Sequence, residues 1–240
     1  MKKVIITGDI HGRDTWKKIV EDNSDSDLFI FVGDYFDSFD IDVMTQIHNF
    51  REIIEFKNEN PEKVVTLIGN HDFHYTRACI GSYTGFNHNT YYNMHIDLGD
   101  LIKDGTLKIA HQIENFLFTH AGVTKTFCEE WNIDTENLVD SLNDHLIYKP
   151  NCFNFRRGKN NSEYGDDIIQ GPLWVRPDSL FEDALDYIHV VGHTSQMEVT
   201  PKLNDTEDYG YILVDTLGVG QYLELIFNDN QKTEINIKNI

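Results

Sequence analysis

Three apolar runs near the start of the chain each stop at a glycine followed by polar side chains, and this repeated punctuation constrains the fold most. Val4-Ile5-Ile6 leads to Gly8-Asp9-Ile10-His11-Gly12, residues 28–32 lead to Gly33-Asp34-Tyr35-Phe36-Asp37, and residues 63–68 lead to Gly69-Asn70-His71-Asp72. Short β-branched or aromatic runs bounded by glycine are buried strands with exit turns. Helical patterns separate them. Residues 14–22 place Trp16, Ile19 and Val20 on one side of a helix with Asp14 as its cap, and a second helix spans 41–57 before Asn60-Pro61 stops it. Strand, helix, strand, helix, strand predicts a largely parallel α/β layer with a site at the carboxyl ends of its strands.

Further along, residues 73–103 are rich in aromatic and polar groups and predict two helical pieces, the second at about 89–103. Residues 107–110 and 115–119 look like a hairpin ending in His120-Ala121-Gly122, and helices are expected over 125–131 and 135–148. From 150 to 167 the composition turns to Asn, Gly and charge, including Arg156, Arg157 and Lys159, which predicts a long irregular loop on the substrate side. A short helix at 179–186 precedes a strand at 187–191 that ends in Gly192-His193-Thr194. Strand-like runs at 197–200, 210–215, 222–227 and 233–237 then suggest an antiparallel second sheet. No repeat or linker divides the chain, so residues 1–240 are expected to form one domain.

Composition excludes several classes of function. Forty acidic against 20 basic residues leave a net charge of −20, which argues against nucleic acid and anionic membranes as partners. No apolar run approaches the roughly 20 residues that span a bilayer. The N-terminus turns polar too soon for a secretion signal, and three cysteines without a CxxC point to reduced thiols. A cytoplasmic location is the expectation; the sequence carries no signal of oligomeric state.

The polar clusters at the strand ends collect Asp9, His11, Asp34, Asn70, His71, His120 and His193. Asp9 and His11 are two apart, so an extended chain points both side chains the same way. Together these residues form an oxygen- and nitrogen-rich set without sulfur, which suits manganese, iron or zinc rather than a structural thiolate site. The histidines without such placement (His48, His74, His88, His95, His111, His145 and His189) are expected to be structural.

The sequence resembles the calcineurin-like metallophosphoesterases. The matching stretches are GDIHG (8–12), GDYFD (33–37), GNHD (69–72), THAG (119–122) and GHT (192–194), in the family's order. Within the family the similarity is closest to small bacterial and phage-type serine/threonine protein phosphatases and to symmetrical diadenosine tetraphosphate hydrolases, with LWVRP (173–177) and VDTLG (214–218) adding to it. The resemblance implies two mixed β-sheets packed as a sandwich and flanked by α-helices. It implies two divalent ions, manganese first with iron or zinc possible, the first held by Asp9, His11 and Asp34 and the second by Asp34, Asn70, His120 and His193. A pair of ions roughly 3.5–4 Å apart holds a phosphate ester and activates a bridging hydroxide for in-line attack. His71 would then protonate the leaving group, with Asp37 orienting its imidazole.

The reaction implied by the resemblance is hydrolysis of phosphomonoesters, foremost of phosphoprotein at serine or threonine. Alternatives are hydrolysis of dinucleoside polyphosphates or phosphodiesters, and a metal-binding scaffold without catalysis. The phosphorylated partner is thus a phosphoprotein or a nucleotide. The chain departs from the protein phosphatases at Ser38-Phe39, where they continue with Arg-Gly, and at Asp72, where they carry Glu. Losing that arginine removes a bidentate phosphate contact. Arg176 is the first candidate to replace it, followed by Arg77, Arg156 and Arg157.

Overall fold

In the computed structural model, which describes residues 1–158, 166–228 and 232–240, two mixed β-sheets pack face to face with helices outside. The first sheet runs β11-β10-β1-β2-β3-β4, built from β1 (Lys2–Thr7), β2 (Leu28–Phe31), β3 (Val64–Leu67), β4 (Leu107–Lys108), β10 (Gln221–Phe227) and β11 (Glu234–Asn239). The second runs β5-β6-β7-β9-β8, from β5 (Ala110–Ile113), β6 (Phe116–Thr119), β7 (Ile188–Val191), β8 (Thr200–Leu203) and β9 (Gly210–Leu213). β1, β2, β3 and β4 are mutually parallel, as are β6, β7 and β9, so the site-bearing ends of each group point the same way.

Side-chain alternation builds two layers of core from these strands. Val4 and Ile6 of β1, with Leu28 and Ile30 of β2, face Phe116, Phe118, Ile188 and Val190 across the sandwich. Ile5, Phe29 and Phe31 point to the opposite face and pack under α1 (Trp16–Asp22), α2 (Val43–Glu59) and α4 (His88–Lys103). Four further α-helices lie among the described residues: α3 (Asn70–Phe73), α5 (Lys125–Trp131), α6 (Leu138–Tyr148) and α7 (Pro177–Asp183). The second helix starts two residues later than its apolar pattern because the Asp42 side chain accepts from the backbone of Met44 and Thr45 and fixes the cap there.

Three expectations need correction. The run 107–110 does not pair with 115–119 as one hairpin arm. Leu107 and Lys108 pair with β3 in the first sheet, while Ala110–Ile113 pairs with β6 in the second, so the chain crosses between sheets inside that run. The tail does not make a sheet of its own: β8 and β9 complete the second sheet, whereas β10 inserts beside β1 and carries β11 with it. Local alternation cannot tell which sheet a strand joins. The expected loop at 150–167 begins with a 3₁₀ turn at Pro150–Phe153, and Lys159 lies outside the described residues.

One buried histidine gives the fold a pH dependence. His189 on β7 is fully buried, its Nε2 donating to the Leu185 carbonyl at 3.3 Å, and burial pushes its pKa down to about 4. The fold therefore favours the neutral ring. That contribution is complete above about pH 6.5 and is lost as the pH falls from there toward 4. Going from pH 7 to pH 5 should remove about 2 kcal/mol through this one group. Chemical denaturation at the two pH values should show a smaller difference in His189→Leu than in the parent protein, and equal differences would refute the assignment.

Candidate metal centre and active site

The polar turns after β1, β2, β3, β6 and β7 meet at one end of the sandwich, around a cavity of about 590 Å³ lined by Asp9, His11, Asp34, Asn70, His71 and His193 among others. Backbone geometry forces these turns together. Gly69 has no side chain because a Cβ there would stand 2.1 Å from Asp34 Oδ1, and one on Gly192 would stand 2.0 Å from Asp9 Oδ1. His11, Asp34, Asp37 and His193 all adopt left-handed backbone, with φ of 43°, 52°, 67° and 61°. Non-glycine residues take this conformation sparingly, and these four residues, in three of the turns, hold it where their side chains converge. Asp72 ties two of the turns together: its carboxylate accepts from the backbone N–H groups of Asp34, Tyr35 and Gly69 at 2.7–2.8 Å. Asp72, which departs from the glutamate of the protein phosphatases the sequence resembles, thus acts as a backbone clamp.

The ligand geometry can be read atom by atom. His11 Nδ1 donates to the Phe36 carbonyl at 2.6 Å and His120 Nδ1 to that of Val32 at 3.0 Å, which leaves each Nε2 with its lone pair facing Asp34. Asp34 Oδ2 stands 3.9 Å from the first and 3.3 Å from the second. Asn70 Oδ1 is 2.9 Å from His120 Nε2 and 2.8 Å from His193 Nδ1. Asp9, Asp34 and His120 place ligand atoms within 4.8 Å of one another.

This donor set fits a cation. Burial and the nearby Asp215 push the carboxyl of Asp9 well up, so without positive charge the pocket draws protons. Burial disfavours a charged His120, yet Asp34 and Asp9 outweigh it and raise its pKa to about 9. A field that binds a proton at that Nε2 also binds a metal there. His193, in contrast, is held neutral by burial and by Arg176, which keeps its ring available as a ligand.

Beside this group stands His71. Its Nδ1 donates to Asp37 Oδ2 at 2.7 Å, leaving Nε2 for the cavity. Burial opposes its charged form, but Asp34 and Asp37 together push its pKa up to about 9. Of the four expected arginines only Arg176 lines the cavity, its Nη1 donating to the His193 carbonyl at 2.8 Å and the Thr194 hydroxyl at 3.1 Å. Arg77 faces a different cavity between α4 and α6. Arg156 makes a two-pronged pair with Glu130, both contacts 2.7 Å, and packs over Trp131; Arg157 is exposed and outside the cavity lining.

The family model for calcineurin-like phosphoesterases matches residues 2–197. The chain belongs to that family. This phosphoesterase is accordingly a metal-dependent hydrolase of phosphoric esters, from a family whose members use paired metal ions. No curated protein sequence matches it. Its fold resembles a cold-active protein-tyrosine phosphatase of a Shewanella species, at 15% identity over 100% of this chain and 80% of that one, with a TM-score of 0.62. It also resembles a protein serine/threonine phosphatase of Saccharomyces cerevisiae (14% identity, 100% and 80% coverage, TM-score 0.56) and a metallophosphoesterase of Sphaerobacter thermophilus (15%, 99% and 88%, 0.52). At these identities the likeness is one of fold. Among the described residues of the phosphoesterase, no helix is long and apolar enough to cross a membrane.

Two groups near the site escape a reading of the sequence alone. An aromatic wall of Tyr83, Phe155 and Trp174 lines the cavity, with Tyr83 and Phe155 at 4.4 and 5.2 Å from Trp174 and Trp174 edge-on to His193 at 6.0 Å. It unites three distant segments, so no local pattern announces it. His74, expected to be merely structural, lies with Nε2 2.7 Å from Asp37. Its spacing of three from His71 is the available signal, because residues three apart on a helical turn share a face.

Proposed function

We propose that this phosphoesterase hydrolyses phosphomonoesters, and foremost phosphoserine and phosphothreonine in proteins. The observation that carries the proposal is the convergence of six metal-ligand candidates, five of them lining one cavity and His120 buried against Asn70, with an Asp37-oriented, proton-bearing His71. Asp9, His11 and Asp34 would hold the first divalent ion; Asp34, Asn70, His120 and His193 the second. Manganese is the first expectation for an oxygen and imidazole set, which also takes iron or zinc. When bound, the ions supply Lewis acidity and a nucleophile at neutral pH.

The chain's own residues do the rest. Asp34 and Asp9 offset the positive charge, and the backbone of the left-handed turns holds the ligands in place before substrate arrives. His71 gives its Nε2 proton to the departing oxygen, a step that matters most for a serine or threonine alkoxide. Arg176 stands in for the arginine missing at Ser38 and faces the substrate phosphate. Arg176→Gln should raise KM for a phosphate ester by roughly tenfold or more, the loss of one charge-assisted contact, with little change in bound metal. An unchanged KM would remove Arg176 from phosphate binding.

The three cysteines are unpaired, with Cys128 and Cys152 buried, which supports a reducing cytoplasmic setting. A second reading has its own support: the aromatic wall would stack a nucleobase, which favours a dinucleoside polyphosphate as substrate. A substrate panel on the manganese-loaded protein decides between them. Phosphopeptide turnover well above that of diadenosine tetraphosphate supports the proposal. Cleavage of the dinucleotide to two ADP at the higher rate overturns it.

A further inference from the structure

Asp37 is a buried carboxylate on which three side chains converge. Its Oδ2 accepts from His71 Nδ1 at 2.7 Å and lies 2.7 Å from His74 Nε2, while its Oδ1 accepts from the Tyr75 hydroxyl. His74 Nε2 is buried and, at 2.7 Å from Oδ2, makes a close polar contact that falls outside hydrogen-bond geometry. His71 and His74 leave the same helical turn three residues apart and so reach one oxygen.

His74 is itself held in place. The Tyr83 backbone N–H donates to its Nδ1 at 3.4 Å, and the Tyr83 ring stacks on it at 5.8 Å with 5° between planes. Tyr75 meets its ring edge-on at 4.2 Å. With Nδ1 accepting, a neutral imidazole carries its hydrogen on Nε2, the nitrogen beside Asp37. A carboxylate held by one donor turns easily, because the torsion that rotates it has broad wells. Asp37 rotation would break contacts to His74 and Tyr75 as well as to His71.

We propose that His74 is a positioning residue for protonation of the leaving group. It stands against the same Asp37 oxygen that accepts from His71, so that the His71 imidazole keeps its aim at the ester oxygen. Through Tyr83 the same ring ties that aim to the aromatic wall of the cavity. His74 touches no reacting atom, and the inference rests on the reading of His71 as proton donor.

The test compares kcat for p-nitrophenyl phosphate, whose leaving group needs no proton, with kcat for an alkyl phosphate that needs one. The full-length, manganese-loaded parent, His74→Leu, His74→Gln and His71→Asn are measured side by side with their metal content. Removing the contact in His74→Leu should cost roughly tenfold on the alkyl ester, a fraction of the whole general-acid contribution, and little on the aryl ester. His74→Gln, whose amide N–H reaches a similar point, should restore most of the loss. Should the leucine variant fail to fold, His74→Asn, too short to reach Asp37, serves in its place. Equal slowing of both esters, or none, with metal content unchanged overturns the inference. A third ion per chain that the His74 variants lose also overturns it, by making His74 a ligand. If His71→Asn shows no dependence on the leaving group, the reading of His71 fails. If it does show that dependence and His74→Leu does not, only the role of His74 fails.

Discussion

His71→Asn should lower kcat on an alkyl phosphate by about 10²–10⁴-fold while both ions stay bound, and should leave p-nitrophenyl phosphate far less affected. The expectation comes from where the proton sits. The carboxylates of Asp34 and Asp37 outweigh burial and hold the imidazole charged up to about pH 9, with Nδ1 committed to Asp37. Nε2 is then an acid beside the cavity. An alkoxide is a poor leaving group unless it is protonated as it departs, whereas a nitrophenolate leaves unaided. Asparagine keeps a hydrogen-bonding group of similar bulk and no acidic proton. Turnover numbers for the two esters, with metal content by elemental analysis, check the prediction. An unchanged kcat on the alkyl ester would refute it.

Asp34→Asn should be the more damaging replacement for metal binding. Asp34 Oδ2 is 3.9 Å from His11 Nε2 and 3.3 Å from His120 Nε2, while Oδ1 accepts from the His71 backbone at 2.8 Å. The amide keeps most of the shape but loses the charge and one of the two acceptor atoms. Occupancy should fall from two ions per chain toward one or none, and activity by roughly 10²–10³-fold or more, the scale of losing a preorganised electrostatic group. Elemental analysis after dialysis is the direct measurement. Two ions retained per chain would show that Asp34 does not bridge.

The strand-end turns are legible in the sequence because each leaves an explicit local mark: an apolar run, a glycine, then polar residues. His193 follows the same rule and His120 closes an apolar run just before Ala121-Gly122, so the six ligand candidates can be named without knowing which sheets carry them. The hidden part depends on distance in sequence. Only pairing decides that β10 returns to lie beside β1, or that residues 107–113 cross from one sheet to the other. The arginines illustrate the same limit. Arg77, Arg156 and Arg176 look alike as letters, yet one faces another cavity, one is engaged by Glu130, and one donates to the backbone of a ligand turn. His74 is easily passed over because lone histidines are more often structural. Its acidic partner, Asp37, is already claimed by His71.

The left-handed turns at His11, Asp34, Asp37 and His193 have a consequence for how this chain can change over generations. Each holds a backbone that glycine would adopt at no steric cost, and each such residue costs on the order of 1 kcal/mol or more. Glycine would relieve that backbone strain at the very positions that carry the side chains of the centre. Selection for heat resistance alone would drift toward erasing the centre, while selection for turnover keeps the molecule below the stability its sheets could reach.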